Sequence, residues 1–316
     1  MDALSHVLRA VELTGATFLD AEFRDPWCIV VCEMLQRRLV PAAEHFISYH
    51  YIADGRCQTK VGGELTVLEA GDVVAYPHGD MHIMGSALHL APAPMAEMLE
   101  TVKRGEVTFV RHGGAGEATR AVCGFLACDP RLCQPILSAL PRVIKVSIRS
   151  GPSGDWLERS IRQSVVEAAS TRAGNEVILA KLSEVLFVET LRRYIEGLPQ
   201  EQTGWLAGLR DPLVAGALNV LHERTAHRWT VAQLAREVGC SRSVLAERFT
   251  HYLGQPPMHY LAKWRLAIAA RALRSGQARP GRIAEEVGYE SETAFNRAFK
   301  REYGMPPSRW RNAKIW

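Results

Sequence analysis

Two stretches of this 316-residue chain repeat one another. Residues 234–260 read LAREVGCSRSVLAERFTHYLGQPPMHY, and residues 283–310 read IAEEVGYESETAFNRAFKREYGMPPSRW. Ala235, Glu237, Val238 and Gly239 fall on Ala284, Glu286, Val287 and Gly288. After one extra residue in the turn, Ser241, Phe249, Gly254, Pro256 and Pro257 fall on Ser291, Phe299, Gly304, Pro306 and Pro307, with Leu245 and Tyr260 on Phe295 and Trp310. A repeated stretch is a repeated supersecondary unit, so it restricts the fold more than any other feature of the chain. Each copy spells a short helix, a glycine turn, an N-capping serine and a second helix, the grammar of a helix-turn-helix. In the second copy Phe295, Ala298, Phe299 and Tyr303 form one apolar face of a 3.6-period helix that Gly304 ends. Its other face carries Glu292, Thr293, Asn296 and Arg297, then Lys300 and Arg301.

Hydrogen-bonding groups near the start of a helix followed by positive charge suit a helix lying in the DNA major groove, where early residues meet base edges and later cations meet phosphates. Between the copies, residues 256–275 (PPMHYLAKWRLAIAARALRS) predict one long helix opening on proline, with Leu261, Trp264, Ile268 and Ala272 on its apolar side. Twenty residues span about 30 Å at about 1.5 Å each. Successive major-groove faces on one side of B-DNA lie roughly 34 Å apart, so one rigid helix can hold both reading helices in adjacent grooves. Charge agrees: from Asp211 onward there are 17 Lys and Arg against 9 Asp and Glu, whereas the rest of the chain is mildly acidic. A basic C-terminal third suggests a polyanionic partner.

Residues 211–316 resemble the DNA-binding domain of AraC/XylS-family transcription regulators, with the tandem helix-turn-helices, the linker helix and the terminal G-x-P-P-x-x-[YW]-R together. The resemblance implies base-facing positions at Ser243, Ala246 and Glu247 in the first reading helix, with Arg242 near phosphate. In the second it implies Glu292, Thr293, Asn296 and Arg297, with Lys300 among the later cations. Arg297 suits a guanine edge and Asn296 an adenine edge; the acidic Glu247 either reads cytosine or leaves the first helix the less sequence-determining of the two.

Residues 46–86 carry short, Gly-punctuated segments (FISYHYI, GRCQTKV, ELTVL, GDVVAYP) that predict strands of a small barrel or jelly roll. GDVVAYPHGDMH fits the second cupin motif with Gly71, Pro77, Gly79 and His82, while the first motif keeps His50 and Asp54 but has Ser48 in place of its first histidine. Residues 1–145 thus resemble the cupin sensor domains fused to a branch of AraC-like regulators. His50, Asp54 and His82, with His78 and Cys57 nearby in sequence, offer a reduced triad for a divalent metal. Alternatively the histidines are barrel residues without metal, and the resemblance implies a small-molecule effector and no required cofactor. Cys123, Cys128 and Cys133 lie in one segment. The family includes thiol-based oxidant sensors, so these are redox candidates if one is an exposed low-pKa thiolate, and ordinary core residues otherwise. The seven cysteines are odd in number and no signal peptide precedes them, which argues against stable disulfides.

Two amphipathic helices follow. The first carries Trp156, Leu157, Ile161, Val165 and Ala168–Ala169; the second carries Val177, Ile178, Leu182, Val185, Leu186 and Leu191, with Asn175 as its expected N-cap. The second helix has an apolar stripe broad enough to pack on the barrel and also on a partner subunit. The expectation is therefore an α+β chain. Residues 1–145 form a cupin-like sensor, 146–205 a helical dimerisation and linker segment, and 211–316 an all-α DNA-binding domain. Such a chain is a non-enzymatic, cytoplasmic and nucleoid-associated homodimer whose partners are promoter DNA, RNA polymerase and a small-molecule, metal or redox effector. A metal-dependent cupin enzyme with a regulatory tail is the competing reading. No apolar run approaches membrane-spanning length.

Overall fold

A computed structural model describes residues 2–11, 13–15, 19–32, 37, 40, 43–95, 108–149, 152–168, 174–276 and 278–312. The chain divides into two compact units, each discontinuous in sequence.

One unit comprises residues 13–129 and 140–197 and is a two-sheet barrel with helices against it. Its strands are β1 (Thr14–Gly15), β2 (Leu19–Arg24), β3 (Cys28–Val31), β4 (His45–Asp54), β5 (Arg56–Val61), β6 (Glu64–Glu69), β7 (Asp72–Tyr76), β8 (His82–Gly85), β9 (Ala93–Pro94), β10 (Thr108–Gly113), β11 (Ala118–Cys128) and β12 (Ile144–Ser147). The first sheet runs β10-β2-β11-β4-β7-β12, with β1 also on β11; the second runs β6-β5-β8-β3-β9. The predicted strands of residues 46–77 form as β4 to β7. Phe23 stacks on Trp27 at 4.3 Å between ring centroids, and Ile29, Ile52, Leu68, Val74, Tyr76 and Met84 join them in the core.

β4 shows why alternation is faint here: Phe46 to Ala53 are buried without interruption, as expected of a strand covered on both faces. Tyr49 supplies part of that cover by donating to Ser183 Oγ (2.8 Å) on the helix α4 (Asn175–Glu196). The cap of α4 is Gly174 in a left-handed conformation, one place before the expected Asn175. Leu179, Leu182, Leu186, Phe187 and Leu191 are buried along it, while Val177, Ile178 and Val185 are exposed. In α3 (Pro152–Ala168) Leu157 and Ile161 are buried and Trp156 is exposed. The side chains of Val165 and Ala168, and residue Ala169, lie outside the described residues. Among the described residues no helix is long and apolar enough to cross a membrane.

The other unit is all-helical and comprises residues 1–12, 130–139 and 198–316. Its membership departs from the expected boundaries. α1 (Ala3–Val11) and α2 (Pro130–Leu137), both within the stretch expected to be cupin, belong with the C-terminal helices. α1 buries Ala3, Val7 and Val11, one helical stripe, and touches both α2 and α6 (Pro212–Glu223). The Arg271 guanidinium donates to the carbonyl of Ala10. His6 stacks on His222 of α6. Local periodicity marks such a stripe but does not say which distant helix covers it.

Candidate nucleic-acid interface

Asp211 opens the C-terminal helices as expected: its carboxylate accepts from Leu213 N and Val214 N, both at 3.0 Å, and Pro212 occupies the first helical position of α6. The first helix-turn-helix is α7 (Val231–Glu237) and α8 (Arg242–Leu253). Thr230 and Gln233 form a capping box on α7. Ser241 caps α8 by accepting from Val244 N at 3.3 Å, and Gly254 ends it at φ 66°. The second is α10 (Pro280–Glu286) and α11 (Glu292–Tyr303), where Ser291 accepts from Ala294 N at 3.2 Å and Gly304 closes at φ 73°. The turns match bond for bond. Cys240 N donates to Ala235 O (3.0 Å) in the first and Tyr289 N to Ala284 O (2.8 Å) in the second.

Buried aromatic and aliphatic anchors orient the reading helices. Leu245 and Phe249 hold α8; Phe295 and Phe299 hold α11 in a core with Leu266, Leu273, Ile283 and Trp310. That orientation leaves Arg242, Ser243 and Glu247 of α8 exposed, with Ala246 half-buried. On α11 it leaves Glu292, Thr293, Arg297 and Lys300 exposed and Asn296 half-buried. Thr293, Asn296, Arg297 and Lys300 line a single cleft of about 340 Å³. Each copy's expected contact residues are thus brought onto one face. Between the copies runs α9 (Pro257–Arg274), starting on proline as expected; its 18 residues measure about 27 Å.

Sequence reasoning missed two arginines here. Arg248, on the reading helix α8, pairs with the buried Asp211 carboxylate at 2.7 Å. That makes it a structural strut, with Asp211 serving as cap and counter-ion together. Arg265 of α9 is bonded to three backbone carbonyls. Its position in the apolar repeat of α9 gave no sign of this; an arginine set among Trp264, Leu266 and Ala267 was the available clue.

In the barrel, His50 and His82 are brought together. Their Nε2 atoms lie 2.8 Å apart, both residues are buried, and Tyr76 stacks on His82 at 3.5 Å. The carbonyl of Asp80 can only accept, so His82 Nδ1 donates to it (2.9 Å). Neutral His82 then accepts at Nε2, His50 Nε2 donates, and His50 Nδ1 is left buried without a partner. Burial holds the His82 pKa down at about 4, against a smaller raising effect of Asp80. Burial, with His82 adding to it, pushes His50 well below its ordinary value.

Asp54 does not join them. It pairs with Arg162 at 3.5 Å on the exposed end of β4. The register of β11 on β4 slips there, Arg120 facing Asp54 while Ala121 faces Ile52. A bulge of this kind breaks the alternation that would have put Asp54 on the face of His50. His78 donates to the Leu140 carbonyl (3.0 Å). Among the described residues no three His, Cys, Asp or Glu side chains form a group able to hold a metal ion. With two nitrogens spent on each other and the carboxylate elsewhere, the expected triad does not fit a divalent metal.

The cysteines depart from the redox expectation in the same way. Cys123, Cys128 and Cys133 are all buried, and burial raises the Cys123 thiol far above its ordinary value. An oxidant sensor needs an exposed thiol with a lowered pKa. Cys133, on α2, belongs to the helical unit rather than the barrel. None of the described cysteines is in a disulfide.

Comparison with known proteins places these features in a family. A cupin model matches residues 2–196 and a helix-turn-helix domain model matches residues 234–313. A putative AraC-like transcription regulator of Streptomyces lividans is 33% identical over 271 residues, 85% of this chain and 88% of its own length. A protein of the same description from Streptomyces antibioticus has the same identity and coverage. The HTH-type transcriptional regulator AlkR of Acinetobacter baylyi is 26% identical over 313 residues, 98% of this chain and 99% of its own.

Proposed function

We propose, from the premise that this chain belongs to the AraC-like transcription regulators with an N-terminal cupin, that it binds promoter DNA sequence-specifically under control of a signal received in the barrel. The observation that carries this reading is the pair of capped reading helices. Each is anchored by two buried apolar side chains, presents its polar face outward, and is joined to the other by one continuous helix. Arg297 and Asn296 serve as direct base contacts, Thr293, Glu292, Ser243 and Glu247 as their neighbours on base edges, and Arg242 and Lys300 as phosphate contacts.

The relatives are regulators, and we propose that this chain likewise performs no catalytic step. The effector in this reading is a small organic molecule without resident metal; the His50–His82 pair, with Asp54 engaged elsewhere, speaks against the metal alternative. The exposed Val177, Ile178 and Val185 support a homodimer through α4. RNA polymerase is the remaining proposed partner, met at the promoter on the nucleoid. The test is selection from a random DNA pool followed by anisotropy titration across salt. Enrichment of one sequence, with affinity falling steeply as salt rises, is expected. No enrichment, or a flat salt response, overturns the reading.

A further inference from the structure

Arg265 leaves α9 midway between the two helix-turn-helices and is half-buried. Its Nε donates to Thr225 O (2.8 Å) and its Nη2 to His227 O (2.7 Å), both in the loop between α6 and α7 of the first half. Its Nη1 donates to Gly288 O (3.2 Å), the turn glycine of the second half. One planar guanidinium therefore spans the seam between the halves with three donors in fixed directions.

The acceptors are themselves held. Trp229 Nε1 donates to Arg224 O (3.2 Å) and its ring lies under the Arg224 guanidinium at 4.6 Å, which pins the 224–230 loop. Gly288, at φ 87°, packs so closely on the Ala226 backbone that a Cβ there would overlap the Ala226 carbonyl. The exposed pair of Arg228 and Glu290 (2.9 Å) closes the same seam from outside. In the first copy the corresponding Gly239 has nothing within 4 Å of where its Cβ would stand. The glycine of the second turn is packed on the first half; the glycine of the first turn meets open space.

We propose that Arg265 is a positioning residue that fixes the phase between the two reading helices, and so sets the number of base pairs separating the two subsites one chain reads. The inference rests on the DNA-binding reading above. The linker helix α9 fixes length and packs apolar side chains into the helical core, but such nondirectional contact resists roll less than directed hydrogen bonds do. The Arg265 seam removes the roll. One inserted base pair turns the second subsite by about a tenth of a helical turn, and a rigid reader then loses its contacts there.

The test uses the full chain and the selected operator, with one base pair inserted or deleted between the subsites, and operators in which one subsite is scrambled. Wild-type affinity should fall about tenfold per base pair of altered spacing, the scale of one lost base contact. Arg265→Gln and Arg265→Lys should bind each single subsite within about twofold of wild type, bind the intact operator more weakly, and discriminate spacing less. A folded Arg265→Gln that keeps the wild-type spacing preference overturns the proposal. So does a loss that is equal on single-subsite and intact operators, because that marks a merely structural residue. Should removal of the guanidinium unfold the chain, the exposed Arg228→Glu variant carries the test. Weakened spacing discrimination restored by adding Glu290→Arg supports the seam, and unchanged discrimination overturns it. A wild-type chain that selects no DNA sequence refutes the DNA-binding reading instead.

Discussion

The two helix-turn-helices share their grammar and differ in their surroundings. Both use a serine cap, a left-handed glycine stop and the same turn hydrogen bond. The first is braced by an ion pair, Arg248 on Asp211, and lies beside a core that includes the buried His222. The second is braced by an aromatic cluster in which Phe299, Tyr303 and Trp310 pack within 5.7 Å, with the Arg274 guanidinium over Trp310 at 4.5 Å. Their reading faces differ in the same sense: Ser243, Ala246 and Glu247 against Thr293, Asn296 and Arg297. Local sequence sets the motif; the partner surface and a few outward side chains decide what the motif is for. On the proposed reading, the second copy carries more of the base recognition.

The largest expected effect separates the two turns. Gly288→Ala should cost about 3 kcal/mol or more, because it adds a backbone overlap to the strain of a positive φ. Gly239→Ala, at φ 71° in open space, should cost about 1 kcal/mol. Denaturant unfolding of both variants checks this, and equal costs would dissolve the distinction.

Next, Asp211→Ala removes a cap and strands Arg248, for a loss of about 2 kcal/mol that falls on the first half alone. Asp211→Asn keeps the cap and should recover about half of it. Unfolding curves for the two variants read both numbers.

Binding separates the faces. Arg297→Ala should lose about 1–3 kcal/mol on the selected operator and relax one base position, whereas Glu247→Ala should change affinity by less than about 0.5 kcal/mol. Competition titrations against single-base variants measure both; a larger effect at Glu247 reverses the assignment of the dominant reader.

The smallest effect is acid sensitivity. Tyr260 OH accepts from Trp205 Nε1 (2.9 Å) and donates to His222 Nε2 (2.8 Å), so His222 is buried neutral, and burial lowers its pKa to about 3. Because the folded pKa lies below the unfolded value of about 6.5, the stability from neutral His222 is complete above that pH and drains as pH falls toward 3. At pH 5.5 the loss is about 1 kcal/mol. Replacing His222 with Gln should flatten the stability–pH curve by that amount between pH 7 and 5.5. An unchanged curve would place the sensitivity in His50 and His82.

Much of the site was legible because it is written locally. Caps, turn glycines and helical stripes lie within four residues of what they specify, so both reading helices and the α9 linker form where the pattern puts them. The strands of residues 46–77 formed for the same reason. What escaped was non-local. Asp54 shares the parity of His50, and only a register slip against β11 takes it away. The stripe of α1 is plain, yet its partner lies some 200 residues further on. Arg265 reads as one more cation in a basic tail until three carbonyls from two halves close around it.

The place of α1 has a consequence for how the chain comes into being. On the ribosome the stripe of Ala3, Val7 and Val11 emerges before both helices it packs against, α2 and then α6, which is made some 200 residues later. At about 5–20 residues per second, that is an interval of roughly 10–40 s. The β5–β6 hairpin can pair as it emerges, but α1 has only α2 to pack on until α6 is made. The stripe of α1 is therefore fully covered only once chain some 200 residues downstream has been made.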